Sequence, residues 1–253
     1  MVRGQYIAGT GMLLQRRLME NITNNISNAD TTGYKKEHLV SHSFDEVLIK
    51  RINDPNVLAQ TPRVGPLNMG TQIDQLYVDF NEGNLEVTER STDLALVGDA
   101  FFVVGTPGGE RYTRSGAFYI DAAGYLADGE GNYLLGENGQ IYVGGMNFTV
   151  DTLGGVRTSG AGEYADRIRV VSFADNGELR KQGSNLYFSL QAPQAEPNQF
   201  KIAQGFLEGS NVDIGREMVD MLTVFRTYET NQRMLTIIDE TVGKAVNEIG
   251  RLR

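Results

Sequence analysis

Positions Met218, Met221, Phe225, Tyr228, Gln232, Leu235, Asp239, Val242, Val246 and Ile249 fall alternately three and four residues apart, the spacing of a heptad seam. No proline interrupts residues 211–252, so the pattern predicts one long helix, roughly 55–60 Å at about 1.5 Å rise per residue. A compact domain of ordinary size does not cover such a helix along its whole length, and the seam therefore predicts a partner. Gln232 and Asp239 occupy the same heptad slot, where polar residues favour one register over maximal stability. The plainer alternative is a helix of one globular domain whose polar positions face water.

A second helical period runs through residues 5–29, with Ile7, Gly11, Leu14, Leu18, Ile22, Ile26 and Ala29 on one broad face. Beside it Asn21, Asn24, Asn25 and Asn28 form an amide ridge. Asparagine is a mediocre helix former, so four in eight residues weaken the helix unless their amides make contacts. They are expected to be contact residues, and the alternative is a frayed last turn before Gly33, a glycine able to take the positive φ that stops a helix. In residues 38–75, Ser43 and Glu46 fit a capping box before Phe44, Val47, Leu48 and Ile52, predicting a short helix. Pro55, Pro62, Gly65, Pro66 and Gly70 then predict an extended connector.

From residue 76 to about 205 the period changes to short alternating or apolar runs. Strands are expected at 76–80, 95–97, 101–104, 118–120, 133–135, 141–143, 148–150, 168–173, 186–189 and 201–203, separated by Gly-rich turns. The predicted fold class is α+β, with long N- and C-terminal coiled-coil helices flanking a central antiparallel β domain. The expected divisions are 1–37, an N-terminal helix; 38–75, a connector; 76–206, the β domain; and 207–253, the C-terminal helix.

Composition removes several function classes. Among 253 residues the net charge is −9, and no Lys/Arg run supplies the basic face that nucleic acid requires. With no cysteine, disulfides, thiolate metal sites and Cys nucleophiles are all excluded. The N-terminus carries no apolar stretch of cleavable-signal type, and no segment approaches the ~20 apolar residues of a membrane span. His38 and His42, the only histidines, would share a face on a helix, but connector histidines are the simpler account. Asp121, Asp128, Glu130 and Asn132 lack the spacing of a calcium loop and fit hairpin turns. Phosphate-binding and nucleophile-elbow motifs are missing. No catalytic residue, cofactor site or metal site is expected, and the chain is read as no enzyme.

The stretch from Asn24 to Lys35, NNISNADTTGYK, resembles the N-terminal signature of the bacterial flagellar axial proteins, the rod and hook family. Residues 82–88, 92–104, 112–118 and 121–126 are similar to that family's central β region. Glu208-Gly-Ser-Asn-Val-Asp213, followed by Glu217, Met221, Arg226, Tyr228, Glu229 and Asn231, resembles its C-terminal motif. The resemblance implies a structural subunit of the flagellar basal-body rod, with the length favouring rod over hook; a proximal position is slightly preferred to a distal one, since both kinds of rod subunit share these motifs. It also implies that the terminal helices pair as the inner layer of a helical tube and the β domain forms the outer layer. Export would run through the flagellar type III apparatus, without signal cleavage, to the basal body outside the cytoplasm. Expected partners are further copies, other rod and hook subunits and the export apparatus, with neither nucleic acid nor membrane insertion. The expected subunit interface comprises Leu14, Leu18, Asn21, Ile22, Asn24, Asn25 and Asn28, together with the ten seam residues from Met218 to Ile249. A hook-type, phage-tail or adhesin-like self-associating protein is the alternative.

Overall fold

The computed structural model describes residues 2–50, 63–145, 147–158, 164–183, 185–189, 191–195 and 200–249. The chain divides into two compact units, one of residues 1–26, 37–77 and 214–253, the other of residues 27–36 and 78–213.

The first unit holds both long helices. Helix α1 spans Val2–Ser27. Strand β1 (Glu37–Ser43) pairs with β4 (Thr71–Val78), and β2 (Val47–Lys50) pairs antiparallel with β3 (Arg63–Leu67). Helix α2 spans Ile214–Lys244 and passes into a π-helical turn at Ala245–Ile249. Glu217 in its first turn and Lys244 in its last match the helix dipole. The helix begins three residues later than the apolar period suggests, because the Asn211 side chain accepts from the Lys36 N–H and donates to the Asp79 and Asn81 carbonyls.

The short helix expected after Ser43 is not formed. The Phe44 N–H donates to the Gly70 carbonyl at 3.0 Å, and Val47, Leu48 and Ile49 lie opposite Leu67, Pro66 and Gly65 as β2. The β-branched Val47 and Ile49 favour a strand as soon as a partner strand is available, and the capping-box pattern does not outweigh that pairing. Ile52, Pro55 and Pro62 lie outside the described residues. His38 and His42 sit exposed on β1 rather than on a helix.

Among its described residues from 78 to 213 the second unit is built of strands and turns, with one turn of 3₁₀ helix at Asn176–Glu178. Its strands are β5 (Leu85–Val87), β6 (Leu94–Val97), β7 (Phe101–Thr106), β8 (Gly109–Thr113), β9 (Phe118–Ile120), β10 (Leu126–Asp128) and β11 (Tyr133–Leu134). They continue with β12 (Phe148–Val150), β13 (Gly155–Thr158), β14 (Tyr164–Arg167), β15 (Val170–Ser172), β16 (Arg180–Gln182), β17 (Leu186–Phe188), β18 (Gln194–Ala195), β19 (Lys201–Gln204) and β20 (Phe206–Glu208). The largest sheet runs β16-β17-β8-β7-β11-β10-β9, with β15 added to β7 and β18 to β15.

Strand β7 organises this unit. Its first four residues, Phe-Phe-Val-Val, are fully buried; Phe102 and Val104 enter one apolar cluster, while Phe101 and Val103 enter another. A continuous apolar run without alternation is the sequence mark of a strand covered on both faces. Residues 141–143, expected as a strand, make only a single bridge at Tyr142 to Tyr125, yet Ile141 and Val143 are buried. Their apolar character reports burial; the Ile141 and Val143 N–H groups donate to the Leu134 and Gly124 carbonyls, and the Ile141 carbonyl accepts from the Leu126 N–H.

Candidate assembly surfaces

Three stretches far apart in the sequence meet inside the second unit. Lys35 Nζ lies 2.6 Å from Glu208 Oε1 and 2.7 Å from the Asn81 carbonyl, and the Arg114 guanidinium approaches Glu208 Oε2 at 3.7 Å. All three side chains are at most 1% exposed. The Gly83 N–H also donates to Glu208 Oε1 at 3.0 Å. Arg114 makes no side-chain hydrogen bond among the described residues; it lies over the Phe101 ring at 5.0 Å and 3.9 Å from Asp99. Charge and ring contact hold it, since 3.7–3.9 Å is too long for a hydrogen bond.

The backbone around this cluster is drawn in equally closely. The Gly33 N–H donates to the Glu208 carbonyl at 2.7 Å, and the Asp79 N–H donates to the Lys36 carbonyl at 2.8 Å. Gly33 has φ +68°, and a Cβ there would stand 2.6 Å from backbone carbons of Arg114 and Ser115. Gly33 therefore does not stop α1, which ends at Ser27; it lets residues 27–36 lie flat on the β fold. Asn185 donates to the Thr32 carbonyl, and Lys181 stands over the Tyr34 ring at 4.0 Å. The segment leading out of α1 and the segment leading into α2 are thus strapped to the same β fold.

Burial pulls the Lys35 ammonium below its usual 10.5, and attraction to Glu208 only partly restores it. Below its folded pKa both states of the chain carry this proton and stability does not depend on it. Between that value and 10.5 the unfolded chain binds more protons, so stability rises with pH. The unfolding free energy of the wild-type chain is therefore expected to gain on that of Lys35→Met as alkaline pH approaches 10.5. Parallel curves in denaturant titrations over this range would count against a desolvated Lys35.

In the first unit the helices meet at defined points. A Cβ on Gly4 would stand 3.2 Å from Ile238 Cδ1, and one on Gly11 would stand 2.9 Å from Asn231 Nδ2. Gln5 Nε2 donates to Asp239 Oδ1 at 2.9 Å, and Asn25 Nδ2 to Glu217 Oε2 at 3.2 Å. Low numbers on α1 meet high numbers on α2, so the two helices run antiparallel. Asn25 also uses its amide as a piece of strand: Oδ1 accepts from the Glu37 N–H and Nδ2 donates to the Glu37 carbonyl, both at 3.0 Å.

These contacts select one side of the sequence-derived seam. On α2 the covered positions include Glu217, Met221, Val224, Tyr228, Asn231, Leu235, Ile238, Val242 and Ala245, a three-and-four repeat with Glu229 and Gly243 half-buried beside it. Met221, Tyr228, Leu235 and Val242 of the expected seam are therefore half-buried, whereas Met218, Phe225, Gln232, Asp239 and Val246 lie one step round and are exposed. The side chain of Ile249 lies outside what is described. On α1, Leu14, Ile22 and Asn25 are buried, Leu18 and Asn21 half-buried and Asn24 exposed. Asn21 and Asn24 line an open groove of about 480 Å³ with Arg17, Leu39, Ile73 and Leu76. Asn28 belongs to the second unit, where Thr31 Oγ1 donates to its Oδ1 at 3.3 Å. Lys35, Arg114 and Glu208 were not among the expected site residues, although each stands within two residues of a glycine inside a family motif.

Residues 6–35 match the family description "Flagella basal body rod protein", residues 95–163 match "Flagellar hook protein FlgE/F/G D1 domain" and residues 203–248 match "Flagellar basal body rod FlgEFG protein C-terminal". The chain is 32% identical over 273 residues to the flagellar hook-basal body complex protein FlhO of Bacillus subtilis, covering all of both chains. It is 31% identical to the flagellar basal-body rod protein FlgG of the same organism, covering 98% of this chain and 99% of that one. FlgG of Agrobacterium fabrum is 32% identical over 94% of this chain and 96% of its own. The chain belongs to the flagellar basal-body rod protein family. Membership carries the function class with it: a structural subunit of the flagellar rod, located in the flagellum, with rod and hook subunits as partners. The ionic strap lies where all three matched regions converge, since Lys35, Arg114 and Glu208 fall one in each. Among the described residues no group of three or more His, Asp or Glu side chains could hold a metal ion, and no helix is long and apolar enough to cross a membrane.

Proposed function

We propose that this rod-family chain polymerises helically into the shaft between motor and hook, as a proximal rather than a distal subunit. In this reading residues 1–37 and 207–253 pair as coiled-coil helices in the inner core, residues 38–75 form the connector and residues 76–206 form the outer layer. The chain leaves through the flagellar export apparatus without a cleaved signal. The observation that supports it is an apolar stripe exposed on the first turns of α2, where Met218, Leu222 and Phe225 are 52%, 59% and 48% exposed; Met234 and Ile237 add exposed apolar surface on another side of the helix. Such a stripe on a helix already engaged by α1 on another side calls for more helices, and each of these side chains contributes roughly 1.5–3 kcal/mol when fully buried. The expected subunit interface, from Leu14, Leu18, Asn21, Ile22, Asn24, Asn25 and Asn28 through Met218, Met221, Phe225, Tyr228, Gln232, Leu235, Asp239, Val242, Val246 and Ile249, belongs to the same proposal. A head-to-tail contact of this type does not close on itself and yields an open polymer.

The test is complementation of a deletion strain by Phe225→Asp. About half of this side chain is exposed and it lies outside the face of α2 that α1 covers, so the purified variant is expected to keep wild-type circular dichroism and close to the wild-type unfolding midpoint. In cells, basal bodies viewed by electron microscopy should stop partway along the rod without hooks, and swimming should be lost. Complete hooks and swimming in the deletion strain itself would remove the shaft reading; swimming of the Phe225→Asp strain alone would remove the stripe from the interface.

A further inference from the structure

The outer face of β9–β11 carries four tyrosines that neither the ionic strap nor the helices use. Register places Ala127 opposite both Tyr119 and Tyr133, so these three share a face, and Tyr125 joins them two positions before Ala127. Phe118, Leu126 and Leu134 alternate to the other face and enter the core. Tyr142 reaches the same patch through its bridge to Tyr125. The Tyr125 ring meets Tyr133 at 5.8 Å and 72°, and Tyr142 at 5.3 Å and 67°. Tyr119 and Tyr142 are 45% and 55% exposed.

The patch is tied down by hydrogen bonds and its surroundings are acidic. Asp121 Oδ1 accepts the Ala123 and Tyr125 N–H groups while its Oδ2 accepts the Tyr133 hydroxyl at 3.1 Å. The Tyr125 N–H, followed by the Tyr133 hydroxyl, holds the Asp121 carboxyl below its usual 3.8, so it is charged at neutral pH. Residues 115–156 contain five acids and not one Lys or Arg. Glu137 is paired with Arg167 at 3.5 Å, which leaves Asp121, Asp128 and Glu130 as the charges of the β9–β11 hairpins.

We propose that this face docks a protein partner through an arginine or lysine side chain set into the corner formed by Tyr125, Tyr133 and Tyr142. Ring faces carry the negative end of the aromatic quadrupole, so a ring face left exposed beside a carboxylate attracts a cation. A glycan fits less well, because sugar stacking needs rings presented flat and side by side, and these stand near right angles to one another. The surface belongs to the second unit and shares no residue with the α2 stripe of the first, so its test does not depend on polymerisation.

The probe is the pentapeptide Gly-Arg-Gly-Arg-Gly, titrated into the full chain and followed by amide chemical shifts. Shifts concentrated in residues 117–145 are expected. Tyr142→Ser, Asp121→Asn and a peptide with citrulline in place of arginine should each weaken them about fivefold or more, a factor equivalent to about 1 kcal/mol. Asparagine at 121 retains an oxygen for the turn, so loss there reads charge and not folding. Shifts scattered over acids elsewhere would reduce the effect to general attraction by a chain of net charge −9 and overturn the proposal. So would the same shifts produced by chitotetraose, which would make the occupant a glycan, or by raising protein concentration alone, which would make it a second copy.

Discussion

Glu208→Gln is expected to lower the stability of the β unit by about 3–5 kcal/mol, the usual cost of removing one partner from a buried ion pair. The neutral amide keeps the shape and an acceptor for the Gly83 N–H, but it leaves Lys35 and Arg114 as two buried cations with no anion between them. For a unit of this size the unfolding midpoint should fall by roughly 6–20 °C. Replacing Lys35, Arg114 and Glu208 together by Met, Leu and Leu should recover part of that loss, because the triple variant buries no unpaired charge. An unchanged midpoint in Glu208→Gln would mean that the three charges are solvated and that the strap is held by its backbone hydrogen bonds alone.

Gly33→Ala should be nearly as damaging, for a different reason. Alanine at φ +68° is strained, and its Cβ would press on the backbone of Arg114 and Ser115; each effect costs about 1–3 kcal/mol. The chain can relieve the clash only by lifting residues 27–36, which withdraws the Gly33 N–H from Glu208 and moves Lys35 out of its pocket. Cleavage by added protease near Asp30 should therefore accelerate along with the loss of stability. Gly129→Ala is the control, since nothing stands within 4 Å of its Cβ position, and it should be close to neutral. Equal stability of the two variants in denaturant would show that Gly33 is not pinned against the β fold.

Both predictions place weight on residues that a pattern of apolar positions does not single out. The order of elements was legible because it is written in local periods. The three-and-four repeat of residues 214–244 forms α2, the Phe-Phe-Val-Val run forms the doubly covered β7, and β9 and β12 lie at the predicted positions. The motif resemblance reached the family for a similar reason, since it needed only residue identities in order. The local signal failed at 43–52, where a capping-box pattern lost to a partner strand twenty residues away in sequence, and at Gly33 it told of a positive φ but not of the crossing over the β fold that uses it.

Sequence by itself determined the helical and strand segments, the absence of cysteine chemistry and a surplus of apolar helix surface. Which of two adjacent stripes on α2 would be covered within the chain was decided by tertiary structure, through Gly4 and Gly11 on α1 and the amide of Asn25. Periodicity fixes a helix face only to within about one residue, since 3.6 and 3.5 residues per turn differ little over a few turns. Contact with a second surface removes that ambiguity. The ionic strap is likewise a product of the fold. Its three charges lie 79 and 94 residues apart along the chain, and a charge acquires a buried counter-ion only after the chain has closed around it.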